Sequence, residues 1–123
     1  MIADTDVLID VLQDDQPVAR RIELERGQLS TTAVTRFELL AGARTPRQQG
    51  LIAELLAALP CLPLDETAAD RAAEVRRTLE KQGLAIGMGD SLIAGIVLAQ
   101  RGVLLTRNRR HFKRVPDLAL GRI

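Results

Sequence analysis

Asp90-Ser91-Leu92-Ile93-Ala94-Gly95-Ile96-Val97-Leu98-Ala99-Gln100-Arg101, followed by Gly102 and Val103-Leu104-Leu105, is the stretch that decides the fold of this chain. A helix over 90–101 is apolar nearly all round, so it has no face to give to water and belongs in a core. Gly102 supplies its C-terminal stop. Val103-Leu104-Leu105 is then a continuous apolar run of strand type. A buried helix feeding directly into a buried strand is a unit of a layered α/β fold.

Working outward, the same alternation recurs. C-terminal to the strand, 106–114 reads as a polar, basic loop, and Leu118–Leu120 as a last edge strand. On the N-terminal side, 83–89 is a loop, preceded by an amphipathic helix from Asp65, its N-cap, to Gln82. Cys61–Leu64 reads as a strand. Pro46 opens a helix carrying Leu51, Ile52, Leu55, Leu56 and Leu59 that stops before Pro60. Thr32 is the N-cap of a helix over 33–43, preceded by a short strand at 28–31. A further helix runs from Pro17 to about Arg26, ended by Gly27. Ile2-Ala3 is a short strand turning at Asp4 into a helix with Val7, Leu8, Val11 and Leu12 at helical spacing. The expectation is a central parallel sheet flanked by helices, in a single domain over 1–123.

Composition narrows the function. Hydrophobic residues make up 46% and charged residues 27% of 123 residues, a globular balance, and the longest apolar stretch, Leu92–Ala99, is too short to span a bilayer. The N-terminus lacks the basic start and apolar run of a secretory signal, and the single cysteine, Cys61, has no internal disulfide partner, so a cytoplasmic location is expected. A net charge of +1 does not announce nucleic-acid binding. With Phe37 and Phe112 as the only aromatics, base-stacking surfaces of the RRM or OB kind are excluded. One cysteine and one histidine exclude the usual zinc ligand sets.

Three carboxylates stand out by position. Asp4 falls at the C-terminal end of the first strand, where α/β sheets gather functional groups; capping of the next helix is the structural alternative. Glu38 falls within the stripe Val34, Phe37, Ala41, which aims a carboxylate inward, to a metal, an arginine partner or the stripe's edge. Asp90 starts the core helix, as ligand or as N-cap. Gathered at one sheet edge, these hard oxygen donors suit Mg²⁺ or Mn²⁺.

Ile-Ala-Asp-Thr-Asp-Val-Leu-Ile-Asp at 2–10, Thr-Ala-Val-Thr-Arg-Phe-Glu-Leu-Leu-Ala-Gly-Ala at 32–43, Gly-Asp-Ser-Leu-Ile-Ala-Gly at 89–95 and Leu-Leu-Thr-Arg-Asn-Arg-Arg-His-Phe at 104–112 together resemble the PIN-domain ribonuclease toxins of the VapC type, over nearly the whole chain. The resemblance implies a metal site of Asp4, Glu38 and Asp90, with Mg²⁺ or Mn²⁺ as cofactor. Many members have a fourth acid where this chain has Asn108, which offers a carbonyl oxygen but no charge; Asp6 is a candidate to restore part of it. Arg107, Arg109, Arg110 and Lys113 form a basic patch beside Asn108, suited to steering an RNA backbone toward the acids or to contacting a partner. The activity implied is endoribonuclease cleavage of RNA, such as a tRNA or rRNA, by metal-activated water. The partners implied are a VapB-type antitoxin that blocks the site and a second copy in a homodimer, with no membrane. The competing readings are a catalytically weak PIN module that binds RNA or protein, and a phosphatase of the haloacid-dehalogenase type built on Asp4 and Asp6. The phosphatase lacks its late lysine and paired acids.

Overall fold

The structure is a computed structural model that describes residues 1–13 and 28–122; the helix expected from Pro17 to Arg26 lies outside them. In chain order its elements are β1 (Ile2–Ala3), α1 (Thr5–Leu12), β2 (Thr31–Thr32), α2 (Ala33–Gly42), α3 (Pro46–Ala57), β3 (Cys61–Leu62), α4 (Glu66–Lys81), α5 (Met88–Gln100), β4 (Val103–Leu105), α6 (Arg109–Phe112) and β5 (Ala119–Leu120). Every strand pairing is parallel: β1 with β4, β4 with β5, and β2 with β3. A parallel bridge between Ile2 and Ser30 joins the two groups, giving the order β3-β2-β1-β4-β5. Leaving β1, the chain first builds one side and then returns to build the other. The switch lies between β1 and β4, and the crevice beyond their C-terminal ends is where such sheets bind ligands.

Successive residues of a strand face opposite sides of the sheet, and the core divides accordingly. Ile2 and Leu104 pack with Val75 and Leu79 of α4 and with Ile93, Ile96 and Val97 of α5. Ala3 and Leu105 pack with Val7 and Leu8 of α1 and with Ile52 and Leu56 of α3. The helix α2 sits at the sheet's edge and reaches both sides, Val34 entering the first cluster and Leu39 the second. The expected core helix is α5, whose Ser91, Ile93, Ala94, Gly95, Ile96 and Val97 are buried. Its Gly95 lets α4 approach closely: a Cβ there would lie 2.5 Å from the Ala68 carbonyl oxygen and 2.6 Å from Ala72 Cβ.

Several boundaries differ from expectation for identifiable reasons. The helix α5 begins at Met88, with extended Gly87 as N-cap, because the Ser91 N–H and hydroxyl both donate to the Gly87 carbonyl. Asp90 therefore lies inside the first turn rather than at the cap. At the other end the left-handed residue is Arg101 (φ 52°), not Gly102. The N–H groups of Arg101 and Gly102 donate to Leu98 and Val97, a Schellman closure. Gly102 matters instead because a Cβ would meet Ile2 Cδ1 at 2.6 Å. Finally, the basic loop contains the short α6, pinned by buried Phe112.

Candidate active site

Asp4 follows β1 directly, held in register by its N–H donating to the Leu105 carbonyl of β4 (2.9 Å). Its side chain is 4% exposed. Oδ1 accepts from the Thr5 N–H (2.8 Å), capping α1, and Oδ2 accepts from the Thr106 hydroxyl (2.7 Å). The capping reading of Asp4 thus holds through Oδ1, while Oδ2 is held by Thr106. Burial, and then the neighbouring Asp6 carboxylate, push its pKa from 3.8 up to about 7; Asp90 adds in the same direction, while the Thr106 and Thr5 hydrogen bonds oppose it.

Asp6, one residue into the first turn of α1, accepts from the backbone N–H of Arg107 (3.2 Å to Oδ2) and lies 3.4 Å from the Thr106 hydroxyl. Its pKa is also raised, by burial above all. The hydroxyl has one proton, so the shorter contact to Asp4 takes it. Thr106 is accordingly the wedge between two carboxylates, and its own oxygen accepts from the Asn108 N–H (3.0 Å).

Asp90 projects from the first turn of α5 toward the same crevice. The Asn108 amide donates to Asp90 Oδ2 (3.3 Å) and also lies 3.0 Å from His111 Nδ1, which is 3.5 Å from Asp90 Oδ2. Asn108 thus turns its amide nitrogen, not its carbonyl, to the acid, as repulsion between two oxygens requires.

Glu38 is placed differently from the inward orientation expected. On α2 the buried positions are Val34, Thr35 and Leu39, whereas Phe37 is 69% exposed and Glu38 is exposed. A threonine occupies the buried stripe that the sequence reading assigned to Phe37, so the stripe is rotated and Glu38 stands at its edge. It still faces the crevice: Oε1 accepts from the Thr5 hydroxyl (2.8 Å), and Oε2 would be 3.4 Å from a Cβ on Gly89, next to Asp90.

The basic patch is partly engaged. Arg107 pairs with Asp10 of α1 (2.5 Å) and Arg109 donates to the Gly121 carbonyl (2.6 Å), so both bind the loop to the fold. Arg110 and Lys113 are exposed. The residues missed from sequence are the hydroxyls Thr5, Thr35 and Thr106: Thr5 reaches Glu38 across 33 positions, Thr106 reaches Asp4 across 102, and Thr35 reaches Thr5 across 30, beyond any local pattern.

Among the described residues no three His, Cys, Asp or Glu side chains enclose a cation by themselves. The donor set nonetheless fits Mg²⁺ or Mn²⁺. The groups acting on buried Asp4 are carboxylates, a hydroxyl and an amide N–H, none of them cationic. Magnesium keeps most of its waters and needs only one or two carboxylates.

A PIN-domain family model matches residues 1–118. A tRNA(fMet)-specific endonuclease VapC of Shigella flexneri is 29% identical over 120 residues, covering 94% of this chain and 91% of that one. Ribonuclease VapC10 of Mycobacterium tuberculosis is 33% identical over 117 residues, covering 91% and 85%. Among solved structures, VapBC2 of Rickettsia felis bound to a promoter DNA fragment superimposes with a TM-score of 0.91 at 24% identity, covering 98% and 96%. VapBC-1 of nontypeable Haemophilus influenzae gives 0.86 at 26%, covering 98% and 95%. The chain belongs to the PIN-domain family, among its VapC-type ribonucleases.

Proposed function

We propose that this protein is a metal-dependent endoribonuclease toxin whose site is Asp4, Glu38 and Asp90, with Asp6 and Asn108 in support. The observation that carries this reading is Asp4: a carboxylate 4% exposed beside Asp6 is costly unless a cation compensates it. Asp4 and Asp90 are the residues to hold Mg²⁺ or Mn²⁺, and Glu38 completes the acidic face. When bound, the cation lowers the pKa of a water and offsets charge on the phosphate. Thr106 keeps Asp4 and Asp6 apart and aligned, and the Asn108 amide steadies Asp90. Arg110 and Lys113, exposed beside the crevice, meet the RNA backbone, whereas Arg107 and Arg109 shape the loop that carries them.

The relatives' names and complexes support a structured RNA substrate and neutralisation by a VapB-type antitoxin. We place the protein in the cytoplasm as a single domain acting as a homodimer; among the described residues no helix is long and apolar enough to cross a membrane.

Purified protein is to be incubated with total RNA and Mg²⁺, Mn²⁺ or EDTA, beside Asp4→Asn, Glu38→Gln and Asp90→Asn. Cleavage that requires the metal and is lost in all three variants is the expected result. RNA left intact under every metal condition would sink the reading. Retained binding in that case would favour the inactive module, to which Asn108, lacking a charge, lends its one supporting feature.

A further inference from the structure

Glu38 is exposed on α2, yet its carboxylate is tied to the interior through a line of threonines. Thr32 and Thr35 are fully buried. The Thr32 hydroxyl oxygen lies 3.3 Å from that of Thr35, which lies 3.0 Å from that of Thr5, which lies 2.8 Å from Glu38 Oε1. Each hydroxyl has one proton, and an ionised carboxylate only accepts. Thr5 must therefore donate to Glu38, leaving its oxygen to accept from Thr35. Thr35 then accepts from Thr32, whose oxygen also receives the Thr35 N–H (3.1 Å). One end fixes the direction of every bond.

We propose that Thr32, Thr35 and Thr5 form a one-way hydroxyl relay that sets the Glu38 carboxylate in place, making Thr35 a positioning residue for the reaction although it touches neither substrate nor metal. Thr35 occupies a core-facing position of α2 where valine has the same shape, and its hydroxyl contacts are to Thr32 and Thr5. A hydrogen-bonded chain polarises along its length, so the donor reaching the anion is stronger than an isolated hydroxyl. The far oxygen, Oε2, lies on the Gly89 side, 3.4 Å from where a Cβ on that residue would stand. Held at one oxygen from α1, Glu38 is oriented by the residue next to Asp4 and stands beside the first turn of α5 that carries Asp90.

The inference rests on Glu38 belonging to the metal-holding set, so its test has two arms. In the first, Thr35→Val is expected to weaken Mn²⁺ binding, measured by calorimetry, about tenfold and to lower kcat similarly with KM for RNA unchanged; Thr35→Ser restores both. In the second, on metal-free protein, the Tm shifts of Thr35→Val and Glu38→Ala combine to less than their sum in the double variant. Additive shifts with unchanged Mn²⁺ affinity in Thr35→Val would overturn the relay. Non-additive shifts in a protein that binds no Mn²⁺ would uphold the relay and overturn the metal reading.

Discussion

At the scale of the residue, Asp4 couples folding to pH. Its folded pKa of about 7 lies above the ordinary 3.8, so the native state holds the proton more tightly than the unfolded chain. That stabilisation is complete below about pH 4 and lost as pH rises through about 7. The metal-free protein should therefore lose Tm between those values. The shift corresponds to a contribution on the order of 4 kcal/mol, and Asp6, raised in the same direction, adds to it. Asp4→Asn should flatten the decline and raise the metal-free Tm at pH 7.5, measured by calorimetry; an unchanged pH profile would remove Asp4 as its cause. In the proposed site the cation is held by ionised acids, so protection by Mg²⁺ should grow over the same range. The sequence made Asp4 visible because a strand end followed by a helix start is a local pattern. The shift itself was illegible: it comes first from burial, which only the assembled fold creates, with Asp6 and the distant Asp90 adding to it and Thr106, 102 positions away, opposing it.

At the scale of the element, the helices were largely legible because their signals are local. Thr32, Thr45 and Asp65 cap α2, α3 and α4 through side-chain oxygens, as Ser/Thr/Asp before an apolar periodicity should. Glu38 shows where this reading stops, since a helical wheel counts Phe37 as core and Thr35 as polar, and only packing against β2 and α1 reverses them. Arg101 and Gly95 mark two other limits. Arg101 adopts a left-handed conformation that glycine takes without steric cost, so Arg101→Gly should stabilise by roughly 0.5–1 kcal/mol in urea unfolding. Gly95→Ala should do the opposite. The added methyl meets the backbone of α4, which cannot move aside as a flexible side chain can. A loss of about 1–3 kcal/mol is expected, and an unchanged urea midpoint would show that α4 slides freely on α5.

At the scale of the whole molecule, a net charge of +1 hides a separation of sign: acids gathered in the crevice, and the exposed Arg110 and Lys113 that the proposed function sets on its rim. Removing either rim cation should raise KM for RNA and reduce the salt slope of binding by about one, leaving kcat unchanged. Arg109→Ala should instead lower Tm, because its guanidinium holds the Gly121 carbonyl. A salt slope unaffected by Arg110→Ala and Lys113→Ala would move the RNA path elsewhere. The parallel sheet has one further consequence. Asp4 and Thr106 stand 102 positions apart, and β1 cannot pair with β4 until β4 exists. A chain growing on a ribosome therefore carries Asp4, Asp6 and Glu38 well before β4 and Thr106 can complete the crevice. Its topology works as a timer: the crevice stays unarmed from the making of β1 until the making of β4.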